Sequence, residues 1–181
     1  IHRAFHALPP LTSPAGEPIN AIYGLASTLI KILGQQPPDY IVATFDRPEP
    51  TFRKQAFADY KAHRPPAADE LIFQIIKAHE VFAKFQIPSF EIPGYEADDL
   101  IGTLAIKFGA EKNLKVVILT GDLDTLQLIR DEKIIVQFLE KKIGETKIYD
   151  QAAVIDRYGL QPDQLIDYKA LVGDPSDNIP G

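Results

Sequence analysis

The chain has 181 residues, of which 45% are hydrophobic and 24% are charged, a composition typical of one globular domain and unlike that of a disordered, fibrous or membrane-spanning chain. It has no cysteine, which excludes a disulfide framework and thiolate metal sites. No signal peptide is recognisable, so the cytoplasm is the expected location. The 19 basic and 25 acidic residues give a formal net charge of −6, which by itself argues against nucleic-acid binding.

The first half of the chain alternates helical and strand-like patterns. Helical spacing of apolar residues predicts a first helix over about 18–34, and the apolar run 40–45 predicts a buried strand that ends at Asp46. Residues 47–68 contain four prolines and are predicted to form a long functional loop or a partly helical arch. A second helix is predicted from Asp69 to about Gln86, followed by a short strand over 87–92.

The second half continues the same alternation. A third helix is predicted over about 96–112, and residues 115–120, with Val-Val-Ile-Leu at their centre, predict a second buried strand. A helical segment over 122–130, two strands over 134–139 and 146–149 that can pair as a hairpin, and two short helices within 150–172 follow. This order predicts an α/β fold with a central, mostly parallel sheet flanked by helices.

Acidic residues occur where the predicted strands end. Because the carboxyl ends of parallel strands meet at one edge of a sheet, these acids are expected to converge there, and the loop over 173–178 can fold over the same edge. The acids are Asp46, Glu96, Asp98, Asp99, Asp122, Asp124, Asp174 and Asp177. Two carboxylates 4 Å apart repel by about 1 kcal/mol in water and by about 4 kcal/mol at an effective dielectric near 20, so bound cations are expected.

All-oxygen ligands favour Mg²⁺ or Mn²⁺ over zinc. Two such ions can activate water and stabilise the leaving oxygen of a phosphodiester. Each acidic group also has a simpler explanation when taken alone. Asp98 and Asp99 can be first-turn acids of a helix, Asp122 and Asp124 can be helix caps, and Asp174 and Asp177 can form Asx turns.

Basic residues concentrate in the predicted arch. Between Arg47 and Arg64 there are five Lys or Arg against two acids, although the whole chain is acidic. This segment therefore predicts a local phosphate-binding surface. Tyr60 within it can either pack in the core or stack on a base.

Five motifs together resemble the 5′→3′ exonuclease domain of bacterial DNA polymerase I, of the flap endonuclease family, which has a PIN-like α/β fold. They are Phe52-Arg53, Tyr60-Lys61-Ala62-His63-Arg64, Gly94-Tyr95-Glu96-Ala97-Asp98-Asp99, Thr120-Gly121-Asp122-Leu123-Asp124, and residues 173–181 (Gly-Asp-Pro-Ser-Asp-Asn-Ile-Pro-Gly). Their order and spacing match the family over essentially the whole chain.

The resemblance implies a structure-specific nuclease that removes 5′ flaps and RNA primers, uses two or more divalent cations (Mg²⁺ or Mn²⁺), and is attached to polymerase domains in one monomeric, nucleoid-associated bacterial polypeptide. The eight acids fall on the metal-binding positions of the family. Residues that fall on phosphate-contacting or arch positions are Arg3, Arg53, Tyr60, Lys61 and Arg64, with Lys54 beside them in the basic cluster. Without the eight acids, 19 basic residues face 17 acidic ones, so the acidity belongs to the predicted site.

The chain departs from the family pattern in three places. Relative to the family, residues 1–181 are expected to be a partial single catalytic domain, since the first strand with another metal-binding Asp is expected before Ile1 and the DNA-gripping helix-hairpin-helix after Gly181. Leu123 also replaces a Lys that is frequent in relatives. Both truncations predict weak metal binding and weak cleavage by the 181 residues alone.

Two alternative functions compete with the nuclease. Asp122-x-Asp124 after a strand resembles the nucleophile motif of haloacid-dehalogenase-like phosphatases, but Leu126 stands where that motif has Thr or Val, and the motif is not on a first strand. The other alternative is a degenerate family member that binds DNA or tethers a polymerase without cutting it. The intact set of mutually repelling carboxylates disfavours this second alternative.

Overall fold

The computed structural model describes residues 1–140 and 144–181. The chain divides into two compact units, the first formed by residues 1–43, 66–90 and 139–146 and the second by residues 44–65, 91–138 and 147–181. Whether residues 1–181 act as the single domain predicted from the sequence stays a prediction.

Helices and short strands are interspersed along the described residues. In order they are α1 (His2–Ala7), α2 (Asn20–Gln35), β1 (Ala43–Thr44), α3 (Phe52–Ala56), α4 (Asp69–Lys84), β2 (Ser89–Phe90), α5 (Ala97–Gly109), β3 (Val116–Thr120), a 3-10 helix (Leu123–Leu128), β4 (Ile134–Leu139), β5 (Thr146–Tyr149), α6 (Gln151–Tyr158), a 3-10 turn (Pro162–Gln164) and α7 (Leu165–Val172).

In the first unit, a buried glutamine joins α2 to α4. Gln74 has no exposed surface, and its Oε1 accepts the backbone N–H groups of Ala21 at 2.7 Å and Ile22 at 3.2 Å. Its Nε2 donates to Asn20 Oδ1 at 2.8 Å. These bonds supply partners for N–H groups in the first turn of α2, which have no intrahelical acceptor. The side chain of Gln74 therefore caps α2 from within the core.

The second unit is built on a three-stranded sheet with the order β3-β4-β5. β3 and β4 are parallel, in a register that pairs Val116 with Ile134 and Thr120 with Phe138. The core beside this sheet includes the fully buried side chains of Leu126, Val136 and Val154. Burial of branched apolar residues on parallel strands is typical of α/β sheets. The chain therefore leaves β3 at a defined edge, where Asp122 follows.

The α/β class and most predicted elements are confirmed, but the strands divide into two small sheets instead of one central sheet. The strand predicted over 40–45 was too long. Only Ala43 and Thr44 pair as a strand, with the two-residue β2, and Tyr40 is 81% exposed. The segment over 122–130 is a 3-10 helix, and α1 was not predicted because its six residues carry no side-chain cap.

β5 lies next to β4 in the sheet. The hairpin turn predicted between them includes residues 141–143, which lie outside the described residues. Of the helices within residues 1–140 and 144–181, none has the length and apolar character needed to cross a membrane.

Candidate metal centre

The eight predicted acids all lie in the second compact unit, at the ends of secondary-structure elements. Asp46 follows β1, and Glu96 caps α5, which has Asp98 and Asp99 in its first turn. Asp122 caps the 3-10 helix that contains Asp124, and Asp174 and Asp177 lie in the segment after α7, which we call the acidic loop (residues 173–178).

The N-terminus of α5 gathers three of these carboxylates. Glu96 and Asp99 form a reciprocal capping box, in which the Glu96 N–H donates to Asp99 Oδ2 at 2.9 Å. Asp46 Oδ1 accepts the N–H of Ala97 at 2.7 Å. Carboxylates are stabilised at a helix N-terminus by its free N–H groups and its dipole. The first-turn position considered from the sequence is therefore confirmed for Asp99, and Asp46 is bonded to the same helix end.

Asp98 has a different environment from Asp99, although the two are neighbours in sequence. Desolvation, followed by the negative charges of Asp122, Asp46 and Glu96, raises the pKa of Asp98 to about 6. Like charges raise a carboxyl pKa only when they lie nearby. The charges of Asp46, Glu96 and Asp122 therefore act on Asp98, although β1 and β3 belong to two separate sheets and not to the single sheet edge expected from the sequence.

A second acidic group is joined by a lysine that the sequence analysis missed. The Nζ atom of Lys169, on α7, lies 2.7 Å from Asp124 Oδ1 and 2.8 Å from Asp174 Oδ2. Burial raises the pKa of Asp174, but hydrogen bonds from Lys169 and Ser176 outweigh it and bring the pKa to about 2. The only sequence signal for Lys169 was a cation on the helix that leads into the acidic loop.

The local explanations from the sequence are also confirmed for Asp122 and Asp174. Asp122 Oδ1 accepts the Asp124 N–H at 2.9 Å, as a helix cap does. Asp174 Oδ1 accepts the Ser176 N–H at 2.9 Å, as in an Asx turn. In each of these two residues, Oδ1 accepts the backbone bond and Oδ2 takes no part in it.

The predicted arch directs basic side chains at the acids of α5. Arg53, on α3, donates from both terminal nitrogens to Asp99, at 2.8 and 2.6 Å, and this bidentate pair lowers the pKa of Asp99. Lys61 Nζ lies 2.9 and 3.0 Å from the two carboxylate oxygens of Glu96. The Tyr60 hydroxyl donates to Glu96 Oε2 at 3.1 Å, and Tyr60 is 6% exposed. Burial, then the charges of Glu96 and Asp177, raises the pKa of Tyr60.

The arch loop (residues 57–64) is bonded to the acidic loop. The Lys61 N–H donates to the Asp177 carbonyl oxygen at 2.9 Å, and Asn178 Nδ2 donates to the Asp59 carbonyl oxygen at 2.9 Å. Arg64 Nε donates to the Ser176 carbonyl oxygen at 3.1 Å, and its guanidinium also pairs with the Asp177 carboxylate. Lys61 has a φ of 54°, a left-handed conformation that is uncommon for a residue other than glycine.

The remaining two predicted DNA-binding residues make local contacts. Lys54 Nζ donates to the carbonyl oxygens of Ala58 and, at 3.2 Å, of Tyr60, so it fastens α3 to the arch loop. Arg3 lies on α1 in the first compact unit, where its guanidinium donates to the Leu139 carbonyl oxygen.

Within residues 1–140 and 144–181, no three Asp, Glu or His side chains lie close enough together to hold a metal ion. Lys and Arg side chains contact the carboxylates instead, with Arg53 on Asp99, Lys61 on Glu96, Arg64 on Asp177 and Lys169 on Asp124 and Asp174. The repulsion expected from the sequence is therefore offset by basic side chains in this arrangement.

The chain is similar to known nucleases in sequence. Residues 1–159 match the model of the 5′-3′ exonuclease, N-terminal resolvase-like domain. The chain is 45% identical to DNA polymerase I of Caldicellulosiruptor bescii, covering 100% of this chain and 21% of the relative. It is 41% identical to the 5′-3′ exonuclease of Aquifex aeolicus, covering 100% of this chain and 61% of the relative. The chain therefore spans about a fifth of the polymerase and less than two thirds of the exonuclease.

Solved structures share the fold. The bacteriophage T5 flap endonuclease in a pseudo-enzyme-product complex with DNA and metal ions superimposes with a TM-score of 0.70 at 22% identity, over 88% of this chain and 60% of that one. The T5 5′-exonuclease with bound divalent zinc ions gives the same TM-score and identity, over 88% of this chain and 61% of that one. On the match of residues 1–159 and the identity over its whole length, the chain belongs to the family of 5′-3′ exonuclease N-terminal resolvase-like domains.

Proposed function

We propose that the chain is the catalytic part of a metal-dependent 5′ nuclease that hydrolyses phosphodiester bonds at DNA 5′ ends, 5′ flaps and RNA primers. The observation that carries this proposal is that, in one compact unit, the basic arch residues Arg53, Lys61 and Arg64 contact acids of α5 and of the acidic loop. Relatives named DNA polymerase I and 5′-3′ exonuclease support it. The relatives named DNA polymerase I also support polymerase domains in the same bacterial polypeptide, and we propose that this polypeptide is a cytoplasmic, nucleoid-associated monomer.

The residues present fit Mg²⁺ or Mn²⁺ by their chemistry. The donors are carboxylate oxygens, which hard divalent cations prefer, and burial, followed by the negative charges of neighbouring acids, raises the pKa of Asp98. We propose that the metal-holding residues are Asp46, Glu96, Asp98, Asp122, Asp124, Asp174 and Asp177. Asp99 accepts the Glu96 N–H and pairs with Arg53, and we propose that it holds Glu96 in position. When bound, divalent cations supply an activated water and stabilise the leaving oxygen.

The basic residues of the arch can bind phosphate groups of a nucleic-acid substrate as well as the carboxylates that they contact in the structure. Lys61 and Arg64 contact Glu96 and Asp177, and both can exchange a carboxylate for a phosphate oxygen of similar charge and geometry. We propose that they bind the scissile phosphate and stabilise the charge that develops on it. Arg53, held by Asp99, would orient the 5′ side of the strand. Tyr60, whose raised pKa keeps its proton on the hydroxyl, would orient Glu96 through its hydrogen bond.

Flap cleavage tests the proposal. A 5′-labelled flap duplex is incubated with the chain, and with a version extended at both ends to the length of its DNA polymerase I relatives, in Mg²⁺ or in EDTA. We expect cutting near the junction that requires Mg²⁺ and is lost in the Asp122→Asn variant with DNA binding retained. The matched control is Asp156→Asn, which removes an exposed carboxylate from α6 and should cut at the wild-type rate. Metal-independent cutting, or unchanged cutting by Asp122→Asn, would contradict the proposal. Binding without cutting by either version would identify a degenerate DNA-binding module.

A further inference from the structure

Lys169 contacts two carboxylates that come from different parts of the chain. Asp124 belongs to the 3-10 helix after β3, and Asp174 to the acidic loop. The ammonium lies within 2.8 Å of both carboxylates, a distance typical of strong charge-assisted hydrogen bonds. Lys169 therefore joins these two acids as a shared counter-ion.

The two carboxylates differ in how firmly they are held. The Asp174 side chain is 17% exposed, and its Oδ1 accepts bonds from Ser176, so that only Oδ2 is directed at the lysine. The Asp124 side chain is 40% exposed, which leaves it accessible to a cation from solvent. The ammonium thus bridges a fixed carboxylate and an accessible one.

Lys169 itself is able to leave this position. Its side chain is 43% exposed, and four flexible methylene groups connect the ammonium to α7. A lysine ammonium is a weaker partner for two carboxylates than a divalent cation. The cation carries twice the charge, and it has no flexible side chain whose conformational entropy is lost on binding. The two occupants cannot contact the same pair of oxygens at once.

We propose that Lys169 acts as a built-in competitor for divalent cation at the Asp124–Asp174 pair, so that a cation binds there only by displacing the ammonium. The inference rests on the proposed function and extends it to regulation of the site. Lys169 would keep the two acids close together when the metal concentration is low. It would also raise the concentration at which this pair is filled.

Removal of the ammonium should tighten binding of the cation. Displacement breaks two partly exposed ion pairs, each of which is weak, so we expect an apparent affinity about tenfold higher in Lys169→Met, which corresponds to about 1.4 kcal/mol. Lys169→Arg keeps the charge and two possible contacts, so we expect an affinity within about twofold of wild type. Lys77→Met removes the same charge from an exposed pair with Glu80 on α4 and serves as the control for net charge.

The experiment is calorimetric titration of Mn²⁺ into the four proteins, after circular dichroism has shown that each is folded. A tighter site in Lys169→Met alone supports the inference. Equal affinity in all four proteins, or weaker binding in Lys169→Met, overturns it and leaves the proposed nuclease intact. Absence of Mn²⁺ binding from every protein overturns both the inference and the proposed metal dependence.

A second readout follows the lysine itself. Acetylation of Lys169 by a small amine-reactive reagent, measured by mass spectrometry, should speed up at least severalfold when Mn²⁺ is added, because the displaced ammonium loses its carboxylate partners. Lys77 provides the internal reference within the same digest. An unchanged ratio of Lys169 to Lys77 modification at saturating Mn²⁺ would show that the cation binds without displacing the lysine and would overturn the inference.

Discussion

Replacement of Asp98 by asparagine should stabilise the metal-free protein. The ordinary carboxyl pKa of 3.8 is raised to about 6 at Asp98, and a difference of this size corresponds to about 3 kcal/mol at full ionisation. Asp98 is an exposed residue, so solvent screening reduces the expected penalty to about 1 kcal/mol. We therefore expect Asp98→Asn to raise the free energy of unfolding by about 1 kcal/mol at pH 8 in EDTA.

The pH dependence gives the sign of this effect a separate check. Because the folded-state pKa of Asp98 lies above its unfolded value, the folded state binds the proton more tightly. The wild type is therefore free of the penalty below about pH 4 and acquires it as the pH rises through about 6. The stability difference between Asp98→Asn and wild type should be near zero at pH 4 and largest above pH 7.

Urea unfolding monitored by circular dichroism at pH 4 and pH 8 measures both values. Asp156→Asn is the control, because it removes a carboxylate of α6 from outside the acidic group. Addition of Mg²⁺ at 100 times its dissociation constant should stabilise the wild type by about 2.7 kcal/mol and Asp98→Asn by much less, so the ranking reverses. If Asp98→Asn is less stable than wild type at pH 8 in EDTA, the reasoning about crowded charge at Asp98 is wrong.

Three other substitutions test separate parts of the structure. Arg64→Ala should slow flap cleavage in single-turnover assays by at least tenfold with little change in thermal stability, since Arg64 is half-exposed; an unchanged rate removes it from the proposed site. Gln74→Leu should destabilise the protein by about 2–4 kcal/mol, because the Ala21 N–H loses its buried acceptor, and a loss under 1 kcal/mol in urea unfolding would refute the capping role. Gly109→Ala should lower the free energy of unfolding by about 1–2 kcal/mol, because a Cβ there would lie 2.8 Å from the buried Ile134 side chain. A variant as stable as wild type in urea unfolding would contradict this expectation.

Much of the fold was predictable because its strongest patterns are local. β3 and α4 form where their local patterns predict a strand and a helix. The buried face was predicted less well, because α4 buries Leu71, Gln74 and Ala78 while its apolar Ile72 and Ile76 are exposed. The extent of β1 was not predictable in this way, because a strand needs a partner of equal length, and β2 offers two residues. Tyr40 and Val42 have high strand propensity, but they are exposed and unpaired in any named strand.

The candidate acids were chosen from their positions at the ends of predicted strands and helices, but the basic side chains that pair with them were not predicted. The ends of β1 and β3 and the start of α5 are local features, and they predicted that Asp46, Asp98 and Asp122 would crowd together. The ion pairs of Lys169 and Arg53 depend on where α7 and α3 pack in the second unit, and no spacing in the sequence encodes that placement. The sequence also left six of the eight acids with a simpler local explanation, and Asp99, Asp122 and Asp174 do form such local bonds to the backbone.

The bonds between the arch loop and the acidic loop join residues that are 112, 113 and 119 positions apart in the chain. At a synthesis rate of about 5–20 residues per second, the two loops leave the ribosome about 6 to 24 s apart. During that interval the arch loop exists without the acidic loop to which it is bonded in the folded chain. A growing chain therefore exposes its basic segment before the last two acids of the group have been made, so contact with nucleic acid can precede assembly of the complete site.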